Sequence, residues 1–187
     1  MAVRDTARRK LTYEDYVLFP EDGQRHEILD GEHYVMPAPS RSHQRSSRKL
    51  CLKLTLFVDE HGLGEVFYAP FDVLLSQYDI AQPDLLFISN ERWAILTEAN
   101  VQGAPDLLIE ILSDSTRRLD ETLKRDRYER FGVLEYWLVD SVRRTVRVYR
   151  CSGAGFGAPL DLSAVAGDLL TTPLLPGLEI RVSEIFE

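Results

Sequence analysis

The chain has 187 residues, of which 44% are hydrophobic and 28% are charged, and its formal net charge is −8 at pH 7. This composition is that of a globular protein and excludes a largely disordered chain. The length predicts one domain over residues 1–187, with residues 1–10 as a loose tail. Phosphate affinity comes from lysine and arginine. A chain with this negative net charge is therefore not expected to bind nucleic acid non-specifically. A local basic groove is still compatible with this charge.

Several protein classes are disfavoured by what the sequence lacks. No stretch is apolar over the length of a membrane-spanning helix, and the N-terminus lacks the apolar core of a secretion signal, so we expect a cytoplasmic protein without membrane contact. The two cysteines and four histidines do not have the spacing of zinc ligands. Neither a Gly-x-Ser-x-Gly nor a Gly-x-x-x-x-Gly-Lys motif is present, which argues against serine hydrolases and P-loop proteins.

The first elements predicted are a short helix and a β-hairpin. Thr12 and Asp15 form a helix-capping pattern, and Pro20 ends the helix that they begin. Further on, the pair Asp30-Gly31 separates two short segments of strand character. Because Asp-Gly suits a two-residue turn, these segments are expected to pair as a hairpin.

A long amphipathic helix is predicted next, from Arg41 to about Glu60, with Gly62 as its natural end. Its positive side chains recur at every fourth position and form one stripe: Arg41, Arg45, Lys49 and Lys53. No acid lies between the first and last of these residues. Two interpretations are open, a solvated helix face or a surface that contacts DNA phosphates, with His43 near its start.

The chain after the long helix is mainly strands. Strand segments are predicted at 65–76 (one or two strands), 84–88, 106–112, 134–140 and 144–150. A turn of helix is expected over residues 91–95, with Trp93 packed inward, and short strands and a turn end the chain.

One helix, residues 117–131, lies between strands 106–112 and 134–140 and predicts a βαβ unit. The fold class predicted is therefore α/β (α+β): a mixed central sheet flanked by helices, with an N-terminal hairpin and extra C-terminal strands.

Two of the predicted strands carry acids where an ionised carboxylate is unfavourable. Glu110 lies inside the apolar run 106–112, and Asp84 begins the similar run 84–88. Burial of an unpaired carboxylate costs several kcal/mol, so each acid needs a cation or a metal ion. Asp106 shares a face with Glu110, but residues four apart in a strand are about 13 Å apart and cannot share one ion. Asp106 is therefore interpreted as a turn or cap residue.

These acids predict a metal site. Asp84 and Glu110 are expected to face each other across neighbouring strands, with the backbone carbonyl of Ile111 as a further ligand. Such an oxygen set suits Mg²⁺ (or Mn²⁺), which keeps several waters. An ion held there would polarise a phosphodiester and activate a water molecule.

A cation beside this site is also predicted, and Lys124 is the candidate. Position 112 would face the same way as Glu110, but it is Leu112. Lysines occur only at positions 10, 49, 53 and 124, and a desolvated lysine can lose its proton, which arginine effectively cannot. Asp120 and Tyr128 lie one helical turn from Lys124 and could hold it in place. The alternative is a surface ion pair between Asp120 and Lys124.

Four motifs occur in a fixed order: Pro83-Asp84, Gly103 to Ser113, Asp120-x-x-x-Lys124-x-x-x-Tyr128, and Gly132 to Asp140. In this order and spacing they closely resemble the Uma-two family of restriction-endonuclease-like proteins, a branch of the PD-(D/E)XK nuclease superfamily. The resemblance extends over about residues 11–187.

The resemblance implies a restriction-endonuclease-like fold and a homodimer that hydrolyses DNA with a metal ion. By position, Asp84 matches the acid of the Pro-Asp motif, Glu110 the acid of the Glu-x-Lys motif, and Glu27 an accessory acid. Leu112 departs from that motif's lysine, which implies that Lys124 takes its place. The alternative, from another class, is an inactive nucleic-acid-binding or protein-interaction module that keeps the fold. The enzyme is favoured because the set of Asp84, Glu110 and Lys124 is complete.

Overall fold

The computed structural model describes residues 9–187. Residues 1–8 of the predicted loose tail lie outside the described part of the chain. The two tail residues that it includes contact the folded chain: Arg9 pairs with Asp15 at 2.9 Å, and Lys10 pairs with Asp30 at 2.6 Å.

The strands are numbered in chain order. They are β1 (Arg25–Leu29), β2 (Glu32–Met36), β3 (Gly64–Tyr68), β4 (Val73–Ser76), β5 (Asp79–Ala81), β6 (Leu85–Ser89), β7 (Val101–Gln102), β8 (Leu107–Ile111), β9 (Glu135–Asp140), β10 (Thr145–Arg150), β11 (Leu160–Ser163), β12 (Leu169–Leu170) and β13 (Ile180–Arg181).

The helices are α1 (Tyr13–Tyr16), α2 (Arg41–His61), α3 (Arg117–Leu119) and α4 (Arg125–Phe131). A π-helical turn, Asp120–Lys124, joins α3 to α4 without a break, and 3₁₀ turns occupy Asn90–Ile95 and Val182–Ile185. No helix in the described part of the chain combines the length and the apolar character needed to cross a membrane.

A central sheet of six strands in the order β11-β10-β9-β8-β6-β3 carries most of the core. The pair β8 and β9 is parallel and connected through α3 and α4, and the other pairs of this sheet are antiparallel. The predicted βαβ unit is therefore confirmed. A second sheet has the order β2-β1-β5-β4-β7, and β12 pairs with β13.

Strand β8 is buried on both faces, as its apolar run predicts. On one face Leu107 and Ile109 pack with Leu50 and Leu54 of α2. On the other face Leu108 packs in a second apolar cluster with side chains of β6, β9 and α4. The alternation of side chains along each strand thus separates two cores, one on each side of the central sheet.

The hairpin and the long helix have the predicted ends. Asp30 and Gly31 have φ angles of +53° and +77°, the left-handed values that a type I′ turn requires at both central positions. Helix α2 ends at Gly62, whose φ angle of +61° is left-handed as well. The first helix is shorter than predicted, because it ends at Tyr16.

Residues 65–76, predicted as one or two strands, form two strands that belong to different sheets, because β3 pairs with β6 whereas β4 pairs with β5. Pro70 lies between them and cannot donate a ladder hydrogen bond. Trp93 is 49% exposed rather than packed inward, because Ile95 of the same 3₁₀ turn packs against the core. Strands β5 and β7 were not predicted from the sequence.

Candidate active site

Asp84 and Glu110 are brought together by the pairing of two antiparallel strands. Leu85 of β6 lies opposite Ile109 of β8, and the next position of the same register places Asp84 opposite Glu110. Side chains of opposite residues lie on the same face of a sheet. Both acids are almost fully buried and line one cavity of about 40 Å³. Their arrangement is the one that the sequence predicted.

Lys124 reaches this pair from the helical connection between β8 and β9. Its Nζ atom lies 2.9 Å from Oε1 of Glu110 and 2.9 Å from Oε2 of Glu27, and 3.6 Å from Oδ1 of Asp120. The lysine side chain is 2% exposed. Glu27 comes from β1 of the second sheet, so Lys124 joins elements of both sheets. Lys124 therefore lies beside the acids as predicted, and its burial excludes the alternative of a surface ion pair with Asp120.

The helical segment presents three polar side chains to the site. Tyr128 donates a hydrogen bond from its hydroxyl group to Oε1 of Glu110 at 2.9 Å, and Asp120 and Lys124 are buried beside it. Tyr136 of β9 donates to the backbone carbonyl of Asp120 at 3.1 Å. The π-helical turn contains both Asp120 and Lys124, and such turns often occur at functional sites. Tyr128 and Tyr136 thereby fix Glu110 and the turn.

The charges of this cluster oppose one another. Burial by itself lowers the pKa of Lys124, but Glu110, Glu27 and Asp120 raise it well above its ordinary value. Burial raises the pKa of Glu110 to about 8, Lys124 opposes this, and the carboxylates of Asp120, Asp84 and Glu27 add to it. Burial also raises the pKa of Asp120 to about 6.

Burial and charge compete in setting these pKa values. Burial raises the pKa values of Glu110 and Asp120 more than the charge of Lys124 lowers them. A desolvated lysine can lose its proton, and this property made Lys124 a candidate in the sequence. Because its pKa is raised instead, it remains an ammonium group and acts as a donor and a positive charge.

Asp84 has a different environment from Glu110. Its Oδ2 atom accepts a hydrogen bond from the backbone N–H of Ile111 at 2.9 Å and lies 3.0 Å from Nε2 of His43, while Arg25 lies 3.3 Å from Oδ1. Burial raises the pKa of Asp84, but the contacts with His43, Ile111 and Arg25 outweigh burial and leave the pKa below its ordinary value. Asp84 is therefore the ionised acid of the pair.

The residues present fit a divalent metal ion. Four buried acids, Glu27, Asp84, Glu110 and Asp120, face two permanent cations, Arg25 and Lys124. When all are ionised, the acids exceed these cations by two charges, which one divalent ion would offset. In residues 9–187, no three His, Cys, Asp or Glu side chains are placed to coordinate one ion. Two carboxylates, those of Asp84 and Glu110, line the cavity together with Ile111, and Mg²⁺ accepts two protein carboxylates with water as further ligands.

The predicted basic stripe of α2 divides into two parts. Arg41 and Arg45 line a groove of about 980 Å³, together with His43. Lys53 faces away from this groove and pairs with Glu184 at 2.5 Å. Lys49 does not line the groove either. The cause is helix geometry, because every fourth position of an α-helix is rotated by about 40° from the last, or about 120° over the stripe.

The remaining residues near the site include one predicted correctly and two that received no role from the sequence. Asp106 is buried, accepts a hydrogen bond from the backbone N–H of Ser89 at 2.7 Å and pairs with Arg92, so it has the structural role expected of it. Leu112 packs in the apolar cluster. No role was predicted from the sequence for Arg48, which lines the groove, or for Arg25, whose only signal was its position two residues before Glu27.

Comparison with known proteins agrees with this architecture. The sequence model of the Uma2 family, described as "Putative restriction endonuclease", matches residues 13–183. A similar solved structure is that of "a putative nuclease belonging to DUF820" from Anabaena variabilis ATCC 29413. It has a TM-score of 0.80 and 19% sequence identity to this chain, over 94% of this chain and 97% of that chain. The likeness confirms the predicted fold class. No curated protein matches the sequence.

Proposed function

The chain belongs to the Uma2 family, and we propose that it is a nuclease that hydrolyses phosphodiester bonds of DNA with a divalent metal ion. Hydrolysis adds water across a P–O bond and leaves a phosphate monoester and a hydroxyl group. The observation that carries the proposal is the 2.9 Å contact of Lys124 with Glu110, in the cavity that Asp84 also lines. Buried ionisable groups with perturbed pKa values are typical of functional sites.

Mg²⁺ is the ion proposed, with Asp84, Glu110 and the carbonyl of Ile111 as its protein ligands. When bound, the ion offsets the charge of the acids, polarises the phosphodiester and lowers the pKa of a water molecule. Asp84 is ionised already, whereas Glu110 with its pKa of about 8 has to release its proton to act as a ligand.

The side chains around the ligands have separable roles in this proposal. Arg25 and His43 contact Asp84 where the cavity meets the groove, so they are placed to donate hydrogen bonds to a phosphate there. Lys124 orients Glu110 and supplies positive charge for the pentacovalent transition state. Tyr128 holds the same carboxylate from the other side.

The test is cleavage of DNA by the purified protein, with Mg²⁺ or Mn²⁺ and with EDTA. We expect cleavage that requires the metal ion. The non-catalytic alternative predicts binding without cleavage in every metal ion, and that result would reject the nuclease. The homodimer and the cytoplasmic location stay predictions.

A further inference from the structure

The groove along α2 opens from the catalytic cavity. Arg25, His43 and Asp84 line both spaces, so the two are continuous. The cavity of about 40 Å³ has room for an ion or water-sized groups, whereas the groove of about 980 Å³ is at the upper end of the range for ligand pockets, about 300–1,000 Å³. A scissile phosphate therefore has to lie at the groove end of the cavity, with the rest of the substrate along α2.

The charges that line the groove suit a polyanion. Arg41, Arg45 and Arg48 are exposed, and within residues 9–187 none of them forms an ion pair. The one acid among the groove-lining residues of this part of the chain is Asp84, at the catalytic end. Arg117, by contrast, pairs with Asp140 at 2.8 Å. Unpaired arginines on one wall are available for phosphate oxygens.

The groove is also lined by an exposed aromatic ring from outside α2. Tyr68, at the end of β3, is 67% exposed, and Leu52 of α2 is 54% exposed. Both line the groove. The flat faces of bases in a duplex are covered by neighbouring bases, whereas those of an unpaired strand are free to stack on an aromatic side chain.

We infer that this groove binds an unpaired polynucleotide strand, with Tyr68 stacked on a base and Arg41, Arg45 and Arg48 on the phosphates. The inference rests on the proposed nuclease function, for which it names single-stranded nucleic acid as the substrate class. It combines three observations: the continuity with the cavity, the unpaired arginines and the exposed ring. A duplex would use the arginines but not the ring.

The experiment is fluorescence anisotropy in EDTA with a labelled single-stranded DNA, the RNA of the same sequence and the corresponding DNA duplex. We expect the wild-type protein to bind an unpaired strand more tightly than the duplex. Tyr68→Ala should weaken binding of the unpaired strand by about 5- to 100-fold, while Tyr68→Phe, which keeps the ring, should bind like the wild type. Binding of the duplex should change little in either variant.

The role of the groove arginines is tested by a matched pair of variants at neighbouring residues of α2. Arg48→Gln should weaken binding of the unpaired strand and lower the slope of log K against log salt by about 0.7. Lys49→Gln removes the same charge outside the groove and should have the smaller effect. Equal effects of the two variants would contradict binding in the groove.

Two further results separate this inference from the nuclease itself. Metal-dependent cleavage by the wild type, together with unaltered single-strand binding by Tyr68→Ala, would overturn the inference and leave the proposed function intact. Tyr68-dependent binding without cleavage in any metal ion would support the groove and reject the nuclease. Absence of binding to all three polynucleotides would overturn the inference and favour a protein partner for the groove.

Discussion

Two charged regions lie next to each other in this protein and differ in almost every physical respect. Around Lys124 the charges are buried, and the lysine has three carboxylates within 3.6 Å. Along the groove, Arg41, Arg45 and Arg48 are exposed and pair with no acid of residues 9–187. Asp84, Arg25 and His43 line both regions.

The difference indicates that the two charged regions have different roles. A buried ion pair is costly to form, and loss of one partner leaves an uncompensated buried charge, so the fold should depend on the complete cluster around Lys124. Exposed, unpaired arginines contribute little to stability and are available to a ligand. Under the proposed function, the first region would carry the chemistry and the second would contact the substrate. Each of the following predictions tests this division.

The largest effect is expected at Asp84, which both regions share. Asp84→Asn keeps the shape of the side chain but removes the charge, so metal-dependent cleavage should fall below detection. Asp114→Asn, at an exposed position after β8, is the matched control and should cleave like the wild type. Cleavage at the wild-type rate by a pure Asp84→Asn preparation would remove Asp84 from the mechanism.

Lys124→Met should lower both activity and stability. The rate of cleavage should fall by about 10²-fold or more, as for the loss of one electrostatic contact in the transition state. The free energy of unfolding should fall by about 3–5 kcal/mol, because buried acids lose their cation. Urea denaturation followed by circular dichroism measures the second effect, and cleavage is assayed under conditions where the variant is folded.

The control for this variant is Lys10→Met. Lys10 pairs with Asp30 at 2.6 Å, but its side chain is 54% exposed, so its removal should cost less than about 1 kcal/mol. Lys124→Arg should not restore activity, because the broader guanidinium group does not fit the place of an ammonium group. Similar stability losses in the two methionine variants would contradict the distinction between the buried and exposed charges.

Stability should depend on pH through Glu110. Burial raises the pKa of this acid in the folded state to about 8, from an ordinary value of 4.5. The folded protein thus holds a proton that the unfolded chain releases, so this contribution is complete below pH 4.5 and is lost as the pH rises through 8. In EDTA, Glu110→Gln should flatten this decline, because glutamine imitates the protonated acid.

Glu98→Gln, at an exposed position, should leave the pH dependence of unfolding unchanged. The measurement is the free energy of unfolding between pH 5 and pH 8.5 for the three proteins. If the wild type gains stability over this range and Glu110→Gln does not, the raised pKa is wrong.

The smallest effect is expected from single charges of α2. Arg45→Gln should lower the slope of log K against log salt for single-strand binding by about 0.7, because one phosphate contact is lost. Lys53→Gln should not, because Lys53 pairs with Glu184 away from the groove. A filter-binding assay at several salt concentrations measures both. Equal slopes for the two variants would mean that Arg45 and Lys53 contribute equally to binding, as the single stripe predicted from the sequence implies.

The sequence predicted the elements of the buried site because its signals there are local. An apolar run marks β8, the acid within it requires a partner, and Lys124 is the sole lysine after Lys53. The structure adds that Tyr128 contacts Glu110, whereas the sequence placed it only on the face of Lys124. It also adds the pKa of Glu110, because burial depends on packing between two sheets and not on neighbours in the chain.

The groove was only partly predictable for the same reason. Spacing by fours placed Arg41 and Arg45 with Lys49 and Lys53, but the small rotation at each step divides them between two surfaces. Tyr68 could not be connected with α2 from the sequence, because the alternating pattern of its strand does not indicate which helix the strand lies beside. Pairing across sheets, such as that of Lys124 with Glu27, likewise has no local signal in the sequence.

The central claim is that Asp84 and Glu110 form one metal site, and isothermal titration calorimetry tests it most directly. Metal-free protein is titrated with Mn²⁺, which binds oxygen ligands as Mg²⁺ does. We expect one ion per chain for the wild type and no binding at that site for Asp84→Asn. Absence of Mn²⁺ binding by the wild type, or equal binding by the two proteins, would contradict the account.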